Sequence, residues 1–205
     1  MSTIPVWSEE VIGVALPPLE AWFAKHDASE NVHTEAELRK LGHFITIDPI
    51  ARAAAITHLS ARPVEQAGLL VGQVFAGRID DTPGTHYVIH ITDAIPAIDD
   101  DATATSVKIS PRTWLEVQPY LAQGKVTIGW FHSHPNLGAF FSGTDRNTQR
   151  SLFHADYNLG WVVDWVRGEE AWFMGAESVQ VSAIGEIESR SNPDNIASAS
   201  ASHRA

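Results

Sequence analysis

The chain has 205 residues, 44% of them hydrophobic, which predicts one ordinary domain with a sizeable core and some additional residues at its ends. The formal net charge is −11, and no block of Lys and Arg stands out. This balance argues against nucleic acid and anionic membranes as partners, because both require a basic surface. The absence of cysteine, of a long apolar run and of a signal-peptide pattern predicts a cytoplasmic protein without disulfides.

Residues 1–41 are predicted to form an N-terminal extension. Its segment "PPLEAWFAKH" has the pattern of a short amphipathic helix with Leu19, Trp22 and Phe23 on one side, and "TEAELRKLGH" predicts further helix. The simplest expectation is that this extension packs on the domain that follows it. That domain is predicted to begin with a strand in "FITIDP" and a helix over residues 49–61, which ends before Pro63.

The remaining pattern alternates strands and helices. Strands are predicted in "EQAGLLVGQVFAGRI", "THYVIHITDAIPA", "KVTIGWFHSH" and "LGWVVDWV", and a pair of closing strands in "EAWFMG" and "SVQVSAIGEI". One helix is predicted from Pro111 to near Gly124, and another in "DRNTQRSLFHA". With roughly six strands and at least two long helices, the pattern favours an α/β or α+β layered sandwich over residues 42–188. The tail, residues 189–205, is predicted to be disordered.

The stretch "GWFHSHPNLGAFFSGTDRNTQ" concentrates the chemistry of the chain. Residues i and i+2 of a strand point to the same side, so His132 and His134 are expected to project together. Pro135 ends the strand because it has no N–H to donate. Ser142 has the position of a helix N-cap and Asp145 lies one turn in, so this turn can aim Asp145 at the two imidazoles.

Two imidazoles and one carboxylate are three of the four ligands that Zn²⁺ prefers, and catalytic zinc sites keep water in the fourth position. Two other interpretations remain open from the residues alone. A lone His-x-His is more often a surface or structural pair, and Ser142 with Asp145 also fits a helix cap and its reciprocal partner. The spacing therefore predicts a candidate metal site without identifying it.

The same stretch resembles a known family. "HSHPNLGAFFSGTD" matches the H-x-H-P-x6-S-x2-D signature of the JAMM (MPN+) zinc metallopeptidases, and its surroundings are similar to the catalytic subunits of the proteasome lid and the signalosome. Upstream, "EQAGLLVG" fits the family pattern E-x-x-G-x-L-x-G with Glu65 as its glutamate. "GWVVDW" resembles the family's Val-Val-Asp strand, although Trp165 stands where proline is common. The resemblance implies an MPN domain, a cytidine-deaminase-like mixed sheet flanked by helices.

The resemblance also implies a role for each of five residues. His132, His134 and Asp145 would bind one catalytic Zn²⁺. Glu65 would activate a zinc-bound water and pass its proton to the leaving amine. Ser142 would donate a hydrogen bond to the oxyanion of the tetrahedral intermediate. The family's non-catalytic members usually lack some of these residues, and this chain keeps all five.

The implied activity is that of a zinc-dependent isopeptidase or peptidase, which cleaves after the C-terminal glycine of ubiquitin or a ubiquitin-like modifier. It would serve deconjugation or precursor maturation, with the modifier tail bound along a strand edge. Phe140 and Phe141 either line that channel or pack under their own loop. The short spacing after Asp145 suggests a compact prokaryotic member, and stand-alone members of this kind are linked to modifier pathways, some of them in antiviral defence.

Two alternatives stay open beside this activity. One is a zinc hydrolase of the same fold that acts on a sulfur-carrier tail or a small amino-acid adduct. The other is a non-catalytic MPN scaffold, against which the intact Glu65 and Ser142 argue. The expected partner is a ubiquitin-like protein or its conjugates, and a partner subunit or homodimer is left open. The acidic run 99–101 is most simply a solvated loop. Four further histidines are predicted to be surface or core residues rather than ligands: His58, His86, His90 and His154.

Overall fold

A computed structural model of the chain describes residues 15–98, 109–182 and 184–186. Trp7, the acidic run 99–101 and the tail 189–205, on which the sequence makes predictions, lie outside these residues. The described helices are α1 Leu19–Phe23, α2 Ala28–Leu41, α3 Pro49–Ser60, α4 Pro111–Glu116, α5 Gln118–Leu121 and α6 Gly143–Leu152. The described strands are β1 His43–Ile47, β2 Ala67–Gly77, β3 His86–Pro96, β4 Val126–Ser133, β5 Leu159–Asp164, β6 Glu169–Met174, β7 Val179–Val181 and β8 Ile184–Glu186.

The strands form one mixed sheet in the order β7-β6-β5-β4-β2-β3-β1-β8. The pairs β1–β3, β1–β8 and β4–β5 are parallel, and the other pairs are antiparallel. Strands β4 and β5 therefore end at the same edge of the sheet, and β2 begins there. The predicted fold class, a mixed sheet flanked by helices, is confirmed.

Neighbouring residues of the central strands pack on opposite faces of the sheet, because side chains alternate along a strand. Leu70 and Phe131 belong to the cluster that packs against α3, together with Ala55 of that helix. Leu69 and Trp130, one position earlier in each strand, belong to the cluster on the other face. This alternation explains why the central strands read as continuous apolar runs in the sequence.

Two glycines of β2 permit close packing at the centre of the sheet. A Cβ at Gly68 would overlap the ring of Phe131, and a Cβ at Gly72 would overlap the carbonyl oxygen of His90. Strand β2 is paired on both sides, so neither neighbour has room to give way. Larger residues at these positions would push apart the strands that carry the candidate site.

The N-terminal helices pack on the same sheet, as expected. Leu19 and Trp22 of α1 are almost fully buried, and they share a cluster with Phe44, Phe75 and Val88 of the sheet. Helix α2 begins with a capping box. The Asp27 side chain accepts backbone N–H groups of the first turn, and the Glu30 side chain accepts the backbone N–H of Asp27. The division of the chain at residues 42 and 188 stays a prediction.

Two sequence predictions of secondary structure were wrong in detail. The single helix expected from Pro111 to Gly124 is two short helices, α4 and α5, because Pro119 has no N–H to donate to the carbonyl of Leu115. The segment "SVQVSAIGEI", predicted as one closing strand beside "EAWFMG", forms two strands, β7 and β8, at opposite edges of the sheet. Strand β7 pairs with β6, whereas β8 pairs with β1 at the opposite edge. Three Cα–Cα steps join the two strands and span at most about 11 Å, so the sheet curls until its edges approach each other.

Helices α1 to α6, which are those within the described residues, are all too short or too polar to cross a bilayer.

Candidate metal centre

The register between β2 and β4 brings Glu65 to His134. Ala67 pairs with His132 in this antiparallel ladder. Two positions before Ala67 is Glu65, and two positions after His132 is His134. The antiparallel register therefore places Glu65 opposite His134. Glu65 Oε1 lies 3.8 Å from His134 Nε2, and both side chains are buried. The glutamate therefore reaches the site through strand pairing, although 68 intervening residues separate it from that histidine in the sequence.

The residues between these pairs hold the strand ends together. Ser133 N donates to the carbonyl of Gln66 at 2.9 Å, and Gln66 N donates to Ser133 Oγ at 3.1 Å. The Gln66 side chain also donates to the carbonyl of His58 at the end of α3. This network extends the ladder beyond β2, so the backbone around Glu65 is fixed rather than a free loop end.

The two histidines lie side by side in the protein interior. His132 is the seventh residue of β4, and His134 follows the strand with its backbone N–H donated to the Val163 carbonyl at 3.0 Å. Their ring centroids are 4.8 Å apart, and only 1% and 3% of the two residues is exposed. The expectation that residues i and i+2 project together is confirmed.

Asp145 enters the site from the first turn of α6. Ser142 is the N-cap of this helix: its Oγ accepts the Asp145 N–H at 3.2 Å, and Asp145 Oδ2 accepts the Ser142 N–H at 2.6 Å. The predicted cap is thus present as a reciprocal capping box. Because this box fixes the rotamer of Asp145, the carboxylate is already oriented toward the imidazoles.

The three donor atoms, one from each residue, lie within 4.8 Å of one another, and the carboxylate of Asp145 approaches each imidazole at the spacing of neighbouring metal ligands. Asp145 Oδ1 is 3.4 Å from His132 Nε2, and Oδ2 is 3.4 Å from His134 Nε2. Two ligand atoms about 2.1 Å from a common zinc ion, at the tetrahedral angle, are about 3.4 Å apart. Neither ring nitrogen of His132 has a hydrogen-bond partner among the described residues, although the ring is buried. The three side chains form the one group among the described residues whose donor atoms converge in this way.

The charges around the three side chains favour a cation. Burial alone would raise the pKa of Asp145, but the facing imidazoles and the Ser142 cap hold it well below its usual value. Burial lowers the pKa of His132, so this ring is neutral, as a metal ligand must be. Burial also opposes charge on His134, yet Asp145 and Glu65 beside it raise its pKa. The negative charge of these two carboxylates, which draws a proton to His134, would equally favour a bound cation in place of that proton.

Glu65 has the electrostatics of a general base rather than those of a surface carboxylate. Burial raises its pKa to about 7, with His134 opposing the rise and Asp145 adding to it. A carboxylate that titrates near neutral pH can both take up and release a proton there. Its distance from His134 keeps it beside the three converging donors without being one of them.

Trp130 and Gln149 support His132, and the sequence interpretation assigned neither a role. The Trp130 indole is stacked on the His132 ring with centroids 4.3 Å apart and planes 7° apart. Its Nε1 donates to Gln149 Oε1 at 2.8 Å, and Gln149 in turn donates to the carbonyls of Phe153 and Asn158. The available signal was the Thr-Gln pair that ends the stretch "GWFHSHPNLGAFFSGTDRNTQ".

Asp164 supports the loop that follows His134, and this role was also not predicted. Its carboxylate is fully buried at the end of β5 and accepts four backbone N–H groups. Burial alone would raise its pKa, but those four donors hold the pKa below its usual value. The Val-Val-Asp pattern marked this residue in the sequence without indicating what it binds.

The two phenylalanines before Ser142 are in different environments. Phe140 is 48% exposed, and its ring meets the His134 ring edge-on at 5.1 Å. Phe141 is 5% exposed and stacks on Phe173 at 4.0 Å, within the core cluster of that face. Phe140 is therefore the one of the pair that a substrate can reach beside the site, and its role in binding stays a prediction.

The four histidines that the sequence predicted to be core or surface residues lie outside this group of donors. His90 is buried and its Nδ1 pairs with Thr46 Oγ1 at 2.8 Å, and His58 Nε2 pairs with the carbonyl of Ala67 at 3.1 Å. His86 is buried in β3, and His154 is exposed after α6. These positions agree with the prediction that they are core or surface residues.

Comparison with known families places the candidate centre within one conserved domain type. A model of the family described as "Prokaryotic homologs of the JAB domain" matches residues 49–175, which is more than half of the chain and contains all five candidate site residues.

Curated relatives share part of this region. The 26S proteasome non-ATPase regulatory subunit 14 of Dictyostelium discoideum is 28% identical over 139 residues, which cover 65% of this chain and 42% of that protein. The ubiquitin carboxyl-terminal hydrolase RPN11 of Saccharomyces cerevisiae is 28% identical over 113 residues, which cover 53% of this chain and 34% of that protein. The chain therefore spans less than half the length of these relatives.

A solved structure has a similar fold. The solution structure of protein DSY2949 from Desulfitobacterium hafniense aligns with a TM-score of 0.53 and 21% identity, covering 71% of this chain and 94% of that one. At this identity the similarity concerns the fold alone.

Proposed function

This chain belongs to the family of prokaryotic homologues of the JAB domain, and on that premise we propose that it is a zinc-dependent isopeptidase or peptidase. Its substrate is a ubiquitin-like modifier, cleaved after the C-terminal glycine. The observation that carries the proposal is the convergence of five side chains: three metal donors, a carboxylate with a raised pKa and a hydroxyl at the helix cap. A scaffold without catalysis has no need of the buried carboxylate, whereas the hydroxyl would still serve it as a helix cap.

His132, His134 and Asp145 hold the ion in this proposal. Two imidazoles and one carboxylate suit zinc and leave one position open for a fourth ligand, as catalytic zinc sites require. A bound ion would be a Lewis acid, which would polarise the scissile carbonyl and lower the pKa of a water molecule. The neutral His132 and the ionised Asp145 are already in the protonation states that binding demands.

Glu65 is the general base and then the general acid. It accepts a proton from the attacking water as the C–O bond forms, and it donates that proton to the leaving amine as the C–N bond breaks. Burial, which raises its pKa to about 7 in the protein without a metal ion, gives it a carboxyl group that exchanges protons readily. The register of β2 on β4 holds its carboxylate beside His134 throughout.

Ser142 stabilises the oxyanion. Its Oγ accepts the Asp145 N–H, which orients the hydroxyl at the start of α6 and leaves its own hydrogen available for donation. A donor fixed in this way costs no reorganisation when negative charge develops on the carbonyl oxygen. The same residue therefore serves as helix cap and as catalytic donor.

A ubiquitin-like substrate is supported by the relatives, two of which are named as a proteasome regulatory subunit and a ubiquitin carboxyl-terminal hydrolase. The exposed Phe140 beside His134 offers an apolar contact for the chain on one side of the scissile bond. The acidic net charge of −11 would suit a neutral or basic modifier surface. Residues 42–188 form the catalytic domain in this proposal, a compact prokaryotic version that acts in the cytoplasm.

A panel of ubiquitin-like fusions tests the proposal. Each fusion carries a reporter directly after its terminal glycine and is incubated with the zinc-loaded protein or with the Glu65→Ala variant. Cleavage of one or more fusions by the wild type alone is the expected result, and it identifies the preferred modifier. If the folded, zinc-loaded wild type leaves every fusion intact, the proposed modifier substrate is wrong. The next substrates to assay are then sulfur-carrier tails and small amino-acid adducts.

A further inference from the structure

We propose that Asp164 is a positioning residue of the metal centre, which holds the loop after His134 in the conformation that the site requires. The inference rests on the proposed metal ligands, and on the proposed substrate only for its activity readout, since metal binding can be measured without a substrate. Asp164 is not one of the three converging donor residues. It acts through the backbone of the loop 135–141.

The four bonds of Asp164 join two separate segments. Oδ1 accepts the N–H of Asn136 at 2.9 Å, and Oδ2 accepts the N–H of Gly138 at 2.7 Å. Oδ1 also accepts the N–H groups of Val166 and Arg167, both at 3.1 Å. The carboxylate thereby fixes the loop after His134 against the turn after β5, and each oxygen has its own loop partner.

The loop that Asp164 holds carries functional groups at both ends. His134 lies at its start and Ser142 directly after it, and Phe140 within it contacts the His134 ring. Asn136 and Gly138 have positive φ angles of 62° and 96°. Glycine adopts such angles at no steric cost, but they are unfavourable for Asn136, and the bond from its N–H to Asp164 helps to hold it in this conformation.

Buried charge is costly, so a carboxylate placed only for stability is a poor choice at this position. A fully buried carboxylate loses its hydration and regains it only if several donors replace the water. Here all four donors are backbone N–H groups that a smaller polar side chain could not reach together. The arrangement fits a requirement for precise loop geometry more closely than a requirement for folding energy alone.

Replacement by asparagine tests the geometry selectively. In Asp164→Asn the remaining oxygen can still accept the three N–H groups at Oδ1, but an NH₂ group then faces the N–H of Gly138. Only one bond is lost, so this variant should fold even if Asp164→Ala does not. Asp164→Ala releases both loop positions and the turn, and it should have the larger effect.

A matched control separates positioning from stability. Asp48 is also a buried carboxylate that accepts a backbone N–H, that of Ile50 at the start of α3, and it lies outside the site. Asp48→Ala should lower the melting temperature without changing metal binding. All variants are compared at a temperature at which each is fully folded.

The measurements are the dissociation constant for Zn²⁺, from competition with a chelator, and the visible spectrum of the Co²⁺-substituted protein, which reports ligand geometry. We expect Asp164→Asn to weaken zinc binding about tenfold, the smaller effect known for residues that support ligands, and to shift the Co²⁺ bands. A matching loss of kcat/KM is expected wherever a substrate is in hand. Unchanged zinc affinity and an unchanged Co²⁺ spectrum in both Asp164 variants would overturn the inference. If the wild type binds metal but cleaves no modifier fusion, only the proposed substrate fails.

Discussion

The indole of Trp130 lies flat on the imidazole of His132, with ring centroids 4.3 Å apart. The two residues are two positions apart on β4, so strand periodicity alone places them on the same face. The hydrogen bond from Trp130 Nε1 to Gln149 then ties the stack to α6, the helix that supplies Asp145. One strand and one helix thus bring two of the three donors together through a buried aromatic contact.

Two substitutions of Trp130 should distinguish the effect of its stacking on His132 from the effect of its hydrogen bond to Gln149. Trp130→Phe keeps a ring over His132 but leaves the buried Gln149 oxygen without its donor, which should destabilise the fold by about 1–3 kcal/mol. Trp130→Leu also removes the stack, so it should weaken zinc binding further than Trp130→Phe does. Chelator competition on both folded variants measures the difference. Equal zinc affinity in the two variants would mean that the stack does not orient His132.

Removal of one donor should release the metal. His134→Ala leaves two donors, which cannot hold zinc as three do, so most of the bound metal should be lost. Its matched control is His154→Ala, because His154 is exposed and outside the cluster. Metal content by elemental analysis after gel filtration measures both. Full metal content in His134→Ala would break the assignment of the ligands.

Ser142 should have two separable effects. Ser142→Ala removes the helix cap, which typically costs about 0.5–2 kcal/mol of stability. It also removes the oxyanion donor, which should lower kcat about 100- to 1,000-fold. Ser142→Thr keeps a hydroxyl for both roles and should preserve most of each. Denaturation and turnover of the two variants are measured in parallel. A loss of stability in Ser142→Ala with unchanged turnover would leave Ser142 as a cap only.

The contribution of Asp164 to the free energy of unfolding should be lost at low pH. Its folded pKa is lowered, so its charged form stabilises the fold above the ordinary aspartate value of about 3.9, and this contribution is lost as pH falls through the folded pKa. Asp164→Asn does not titrate. The gap in unfolding free energy between the wild type and this variant should therefore narrow below about pH 4. Urea denaturation at several pH values measures the gap, and a gap independent of pH would contradict the assignment.

Much of the candidate site was predictable because it depends on local spacing. The His-x-His pair follows from strand periodicity, and the place of Asp145 follows from the rules for helix caps, both of which act over a few residues. Glu65 is different. Its position opposite His134 depends on the register between two strands separated by a long stretch of sequence, and only the resemblance to a family motif pointed to it.

Two of the features that escaped prediction depend on tertiary contacts. The local sequence does not indicate that β8 pairs with β1 at the opposite edge from β7, since this pairing depends on how far the sheet curls. Asp164 was recognised as part of a strand pattern, but two of its four partners lie in a loop that precedes it by more than twenty residues. The break between α4 and α5 is different, because it is local: Pro119 lies inside the segment that was predicted as one helix.

The most direct test of this account is a comparison of the wild type with Glu65→Gln, which keeps the shape of the side chain and removes its ability to accept a proton. Zinc content, melting temperature and cleavage of the preferred modifier fusion are measured on the same preparations. The account predicts equal zinc content, a similar melting temperature and turnover reduced at least about 100-fold, the smaller contribution typical of a positioned acid or base. Turnover equal to that of the wild type, with zinc bound, would remove Glu65 from the mechanism and contradict the account.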